Sequence, residues 1–196
     1  MLWEVNQNSA AKAARGPLDS GDPYQIAILN GGSFRAPLTN TISVGDVLEV
    51  LPFGNTIATF EITGTYVITA LESGLSMFGG SSNTGRFPQV AGLRYTFNPL
   101  QPVGSRLISV EVKTQDGYSP LNPLQVYRVV SNDYMRNGGD GYSVFQNYAI
   151  HPYDFGPALD EALQDYIKML GIIDAEDLIG GRIFIQHRYF FPVIGR

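Results

Sequence analysis

The segment Ser131 to Tyr142, S-N-D-Y-M-R-N-G-G-D-G-Y, follows directly on a strand-like run, Val126-Tyr127-Arg128-Val129-Val130. Two glycines, a carboxylate and a third glycine in succession rarely serve a core. They let the backbone turn sharply and approach something closely, with Asp140 held in a fixed place. Tyr134 and Tyr142 put an aromatic on either side of the turn. The segment therefore reads as a binding loop on the end of a buried strand.

The same construction recurs earlier in the chain. Tyr24 to Leu29 is a buried-strand candidate that runs straight into Asn30-Gly31-Gly32-Ser33-Phe34-Arg35. A strand emptying into a glycine-rich loop with a terminal arginine is a common way to build a ligand edge. Leu51-Pro52-Phe53-Gly54-Asn55-Thr56 is a third loop, with proline and glycine flanking a phenylalanine.

Around these loops, strands and helices alternate without a regular βαβ period. Asn6 to Ala14 reads as a short helix, ended by the breaker cluster Gly16 to Pro23. Thr41 to Val50 reads as a strand followed by a helical turn, and the alternation of Ile57 to Thr63 as a strand. Val67, Leu71, Leu75 and Phe78 have the spacing of a helix face, and Gly79 to Gly85 reads as a mobile loop. Leu93 to Phe97, Leu107 to Lys113 and Gln125 to Val130 have β texture, with Asp116-Gly117 as a hairpin-type turn. Pro157 to Leu170 is the clearest helix, with Gly171 just past its end, and Arg182 to Arg188 is a closing strand. The expectation is one mixed α/β (α+β) layered domain over residues 1–196, in which 1–23 form an N-terminal helix and breaker segment and 24–196 the core.

Composition narrows the chemistry. There is no cysteine, which excludes disulfides, thiol catalysis and cysteine metal sites. A net charge of −5 argues against a nucleic acid polymer or an anionic membrane as the main partner. Charged residues make up only 16% of the chain, consistent with many uncharged polar and glycine-rich loops. No run approaches the length of a membrane span.

Neither His151 nor His187 has a second ligand at the spacing a metal site needs, so both read as ordinary surface or core residues. No metalloprotease, serine-hydrolase or Walker pattern occurs, and Gly79-Gly80-Ser81-Ser82 lacks the lysine of a phosphate loop, so it reads as a flexible linker. Asp160-Glu161 and Asp174 to Asp177 read as solvated helix faces or caps. No catalytic set is visible, and no metal or cofactor site is expected in this chain.

Binding tools are visible instead. Asn30 can donate and accept, and Arg35 is a forked cation suited to phosphate or a ligand hydroxyl. Phe53 and Tyr134 are candidate stacking platforms, and Asp140 is an acceptor for a pair of hydroxyls. The plainer alternative is that the glycines are ordinary turns and the aromatics belong to the core.

Taken in order, N-G-G-S-F-R, L-P-F-G-N-T, Q-V-A-G-L-R-Y-T-F-N and S-N-D-Y-M-R-N-G-G-D-G-Y closely resemble the C-terminal domain of the 5′-nucleotidase family, which includes UDP-sugar hydrolases and 2′,3′-cyclic nucleotide phosphodiesterases. The resemblance covers about Gln25 to Arg188. It implies a four-layer α/β/β/α domain that clamps the nucleoside. An N-terminal metallophosphatase domain, in cis or in trans, would carry two divalent metal ions and the catalytic histidine–aspartate pair. Relatives are mostly periplasmic, cell-surface or secreted.

Carried over by resemblance, Phe53 and Tyr134 would sandwich the base, and Asp140 would accept from the ribose hydroxyls. Arg35 would reach the ribose–phosphate side, Asn30 would contact base or sugar, and Gly31 and Gly32 would allow close backbone approach. Four departures stand out. Ser33 replaces a usual glycine, Phe34 a usual aliphatic and Tyr134 a usual phenylalanine. Glu4-Val5-Asn6-Gln7-Asn8 only faintly echoes the family's upstream helix, and no arginine stands just before it, so either that helix is degenerate or the sequence begins after that arginine. The favoured reading is the substrate-binding domain of a nucleotide-hydrolysing metallophosphoesterase, inactive by itself. The alternatives are a free-standing nucleoside-binding module, or a domain whose clamp has decayed into an assembly surface.

Overall fold

A computed structural model describes residues 1, 3, 6, 23–39, 41–80, 84–172 and 180–186 of the chain. The expected helix over Asn6 to Ala14, the breaker cluster up to Asp22, Asp174 to Asp177 and His187 lie outside the described residues. Asn6 itself is described. Its amide donates to the Tyr24 carbonyl and accepts from the Tyr24 N–H, both at 2.8 Å, at the approach to the first strand.

The first strand, β1 (Ile26–Asn30), is buried at every position, which is why Ile26 to Leu29 are apolar without alternation, with Asn30 the one polar residue at its end. Helix α1 (Val44–Val50) follows, where a strand and then a helical turn were expected. The correction has a local cause. The Ser43 hydroxyl accepts from the Asp46 N–H while the Asp46 carboxylate accepts from the Ser43 N–H, a capping box that starts the helix directly after Ser43. The Ser43 hydroxyl, which donates to the Asp46 carboxylate at 2.6 Å, and then the Ser43 N–H hold that carboxyl below the usual carboxylate range.

Strand β2 (Ile57–Thr63) and helix α2 (Gly64–Leu75) come next. Helix α2 buries Val67, Ala70, Leu71 and Leu75, whereas Phe78 lies past its end and packs edge-on against Phe97. Strands β3 (Pro88–Ala91) and β4 (Leu93–Phe97) are separated only by Gly92, whose φ of 73° turns the chain from one sheet into the other. Strands β5 (Leu107–Thr114) and β6 (Gly117–Pro120) form the expected hairpin, with Gln115 and Asp116 as the turn and Gly117 opening the return strand at φ 121°.

Strand β7 (Val126–Asn132), the short helices α3 (Asp133–Arg136) and α4 (Ser143–Tyr148), strand β8 (Ile150–Tyr153), helix α5 (Leu159–Leu170) and strand β9 (Ile183–Ile185) complete the described chain. The strands assemble into two mixed sheets, of order β3-β1-β7-β2-β8 and β6-β5-β4-β9. This is the mixed α/β class that the succession of elements implied. Phe60, Tyr95, Phe97, Tyr142 and Phe145 are the largest side chains fully buried in the core.

One pairing arranges everything that follows. β1 and β7 run parallel, so their carboxyl ends, Asn30 and Asn132, open on the same edge of the five-stranded sheet. β2 runs antiparallel to β7 with Ile57 opposite Asn132, and β3 antiparallel to β1 with Pro88 opposite Asn30. The segments that leave β1 and β7 and those that enter β2 and β3 therefore meet at one place. Ligand crevices in sheets with parallel strands characteristically open beyond the strands' carboxyl ends.

Candidate functional site

At that edge a cavity of about 450 Å³ is lined by Asn30, Gly32, Ser33, Arg35, Phe53, Asn55, Gly85, Tyr134 and Asp140. Six of the seven residues singled out from sequence line it. Gly31 lies one step back. Its N–H donates to the Phe87 carbonyl at 2.8 Å, and a side chain there would press on the same oxygen. The two glycines thus serve close approach between loops: a Cβ on Gly32 would come within 3.0 Å of the Gly85 Cα.

Phe53 is 57% exposed and Tyr134 47% exposed, so neither ring belongs to the core. Phe53 sits between α1 and β2 with Gly54 beside it at φ 65°. The Arg35 guanidinium carbon lies 5.7 Å from the Phe53 ring centre, and the Arg35 N–H is anchored on the Val50 carbonyl at 2.9 Å. The Phe53 loop is tied to the Tyr134 helix by reciprocal bonds: Thr56 N–H donates to the Asp133 carboxylate and Asp133 N–H to the Thr56 carbonyl, each at 3.1 Å.

Tyr134 stands on α3, which starts sharply because the Asn132 side chain accepts from the Met135 N–H at 2.7 Å. The chain then turns back through Gly138 at φ 90°, Asp140 at φ 53° and Gly141 at φ 81°. This is the left-handed backbone that the G-G-D-G sequence was expected to supply, although Asp140 itself also adopts it.

Asp140 is held on both carboxylate oxygens. Asn30 Nδ2 donates to one at 2.7 Å, and the Tyr134 hydroxyl donates to the other at 3.1 Å. Asn30 is buried, and its Oδ1 accepts from the Ser33 hydroxyl at 2.5 Å and from Asn132 Nδ2 at 3.1 Å. Asn30 thus faces inward as the hub of a polar network, besides lining the cavity. Arg136 closes the other flank with a two-pronged bond to Asp154, at 2.8 and 2.7 Å.

Three parts of this arrangement escaped the sequence reading. Ser33, Asn55 and Gly85 line the cavity, and Gly85 ends the segment expected to be a mobile loop. Residues Thr84–Arg86 instead form a 3₁₀ turn whose Gly85 backbone lies against Gly32. Tyr142, read as a second aromatic flanking the turn, is wholly buried and stacks on Phe145 with centroids 5.4 Å apart. Its hydroxyl donates to the Arg86 carbonyl at 2.7 Å, and burial pushes its pKa far above the ordinary value, with the Asp140 charge adding to the rise. The sequence did carry a signal for Asn132, since S-N-D before a short helix is a capping pattern.

His151 is exposed on β8, with Nδ1 3.3 Å from a Glu61 carboxylate oxygen, and does not line the cavity. Among the described residues no group of three or more His, Asp or Glu side chains could hold a metal ion. No helix among them is long and apolar enough to cross a membrane.

The sequence pattern described as "5′-nucleotidase, C-terminal domain" matches residues 5–147, which include every residue lining this cavity. The chain belongs to the 5′-nucleotidase C-terminal domain family. It is 34% identical over 178 residues to a 5′-nucleotidase of Diplobatis ommata, covering 86% of this chain and 30% of that protein. It is 41% identical over 149 residues to the trifunctional nucleotide phosphoesterase protein YfkN of Bacillus subtilis, covering 75% of this chain and 10% of YfkN. The crystal structure of a 5′-nucleotidase precursor from Thermus thermophilus superposes with a TM-score of 0.80 at 42% identity, over 85% of this chain and 32% of the other. The 5′-nucleotidase C-terminal domain described here thus corresponds to a minor part of each of these relatives.

Proposed function

We propose that this 5′-nucleotidase C-terminal domain binds a nucleoside or nucleotide in the cavity at the carboxyl ends of β1 and β7. The base would lie between Phe53 and Tyr134, the ribose hydroxyls would donate to Asp140, and Arg35 would face the phosphate side. Asn30 would position Asp140, with Gly32 lining the floor and Gly31 bracing the loop behind it. The observation that carries the reading is the convergence of two exposed rings, a fixed carboxylate and an exposed arginine on one cavity of about 450 Å³. That size suits a ligand of nucleotide dimensions.

The reaction proposed for the whole protein is hydrolysis of a nucleotide phosphate ester by a metal-activated water. The residues described do not fit the two divalent metal ions this requires, because they supply no cluster of three or more metal-ligating side chains. The metals are assigned to an N-terminal metallophosphatase domain acting with this one, in cis or in trans. No step of the chemistry is placed on this chain, whose part is to hold the substrate. A periplasmic, cell-surface or secreted location goes with the same reading, supported by similarity to a cell wall protein of Listeria monocytogenes, 35% identical over 153 residues.

Calorimetric titration with adenosine and AMP tests the binding role. Saturable heat with a one-to-one stoichiometry is expected. Absence of heat with every common nucleoside would overturn the reading and leave a decayed domain serving as an assembly surface.

A further inference from the structure

The Tyr134 side chain makes two bonds to one residue. Its hydroxyl donates to Asp140 Oδ1 at 3.1 Å and accepts from the Asp140 N–H at 3.3 Å. A stacking ring needs neither. The receiving residue sits at φ 53°, a left-handed conformation that a non-glycine residue keeps only when its surroundings hold it there. On its far side the carboxylate is fixed by Asn30 Nδ2, itself locked through Oδ1 by Ser33 and Asn132. The ring is packed against Gly139, where a Cβ would meet Tyr134 ring carbons at 2.5 Å. Hydroxyl, ring and carboxylate are therefore set in one fixed relation.

An ionised carboxylate offers about four acceptor directions, two on each oxygen. Asn30 occupies one direction on Oδ2, and Tyr134 one on Oδ1. One direction then remains on each oxygen, which gives one acceptor to each of two hydroxyl donors on adjacent carbons. We propose that the Tyr134 hydroxyl is a positioning group that pins the Asp140 loop and leaves its carboxylate with a paired acceptor for a vicinal diol, so that this tyrosine sets sugar selectivity as well as offering a stacking face. The inference rests on the nucleoside-binding reading and adds a second role to one of its residues.

The test separates hydroxyl from ring. Wild type and Tyr134→Phe are titrated calorimetrically with adenosine and with 2′,3′-dideoxyadenosine, which keeps the base and lacks the diol. The phenylalanine variant is expected to bind adenosine about tenfold more weakly, the usual scale for a hydrogen bond to a charged group. Its affinity for the dideoxynucleoside is expected to be unchanged, because the ring remains. Equal weakening for both ligands would assign the hydroxyl to ring placement alone and overturn the proposal. Unchanged or tighter adenosine binding would overturn it too, the latter by showing that the hydroxyl competes with the diol. Wild type that binds adenosine no better than the dideoxynucleoside removes Asp140 from the sugar site, and wild type that binds neither overturns the nucleoside reading itself. Far-UV and near-UV circular dichroism of the variant check that it is folded, which the half-exposed position of Tyr134 favours.

Discussion

Asn30 and Asp140 are 110 residues apart in sequence and 2.7 Å apart in space, Nδ2 to Oδ2. One ends a buried strand and the other sits in a glycine turn, so their contact locks the two halves of the site together. Asn30 is 4% exposed and carries the Ser33 hydroxyl and the Asn132 amide on its other atom. Asn30→Ala strands the buried Ser33 hydroxyl donor and leaves the Asn132 amide only its bond to Ser33 Oγ at 3.2 Å, and it is expected to destabilise the fold by about 1–3 kcal/mol. Urea denaturation measures this, and adenosine affinity should fall in parallel as Asp140 loses its support.

Phe53 offers the opposite case. It is mostly exposed, so Phe53→Ala should leave the denaturation midpoint within error of wild type. Nucleoside binding should weaken by about 1–3 kcal/mol, the worth of one stacking platform. Unchanged affinity in calorimetry would take Phe53 out of the site.

Gly139→Ala probes the ring from beneath. The added methyl would meet Tyr134 ring atoms at 2.5 Å, and the ring must swing away into the solvent it already half faces. The expected outcome is a fold of nearly unchanged stability whose affinity for adenosine drops at least as far as that of Tyr134→Phe. Titration of the two variants side by side decides it.

Burial raises the Tyr95 and Tyr142 hydroxyls far above their ordinary pKa of 10.0. The folded state then keeps these protons where the unfolded chain releases them. Their contribution to stability is fully present below about pH 10 and is lost as the pH climbs beyond that value. Denaturation midpoints measured between pH 8 and pH 11, in steps of about half a unit, should show a falling alkaline limb. Tyr142→Phe should flatten that limb while costing about 1 kcal/mol at neutral pH for the lost bond to the Arg86 carbonyl.

The purified chain is expected to release no phosphate from AMP, with or without added divalent cations. A malachite-green assay checks this. Turnover abolished by a chelator would place metal chemistry on this chain and sink the division of labour proposed here.

Much of the local structure was legible because local forces decide it. The apolar run of β1, the strand-like sequence of β2 and the apolar stripe of Leu159–Leu170 each announce their element, although β2 is buried at its first four positions in a row rather than at alternate ones. Where reading failed, a short-range competitor won: the Ser43–Asp46 capping box made a helix of a segment rich in β-branched residues. Phe53, Tyr134, Asp140 and Arg35 were legible as candidates because exposed aromatics and a carboxylate among glycines serve a core poorly. Tyr142 was not separable from Tyr134 in the sequence, since both are tyrosines beside the same turn. Only its position under α2, where a side chain at Gly74 would collide with its hydroxyl, puts one in the core and the other in the cavity.

By itself, then, the sequence determined the elements, the loops that leave them and the family to which those loops belong. Only tertiary structure decided that three loops share one cavity, and that Asn30 turns inward to hold Asp140. The physical reason is the parallel pairing of β1 with β7 across about a hundred residues, which brings two strand ends to one edge. Such pairing arises from burial summed over the whole sheet, and no local stretch of the chain encodes it.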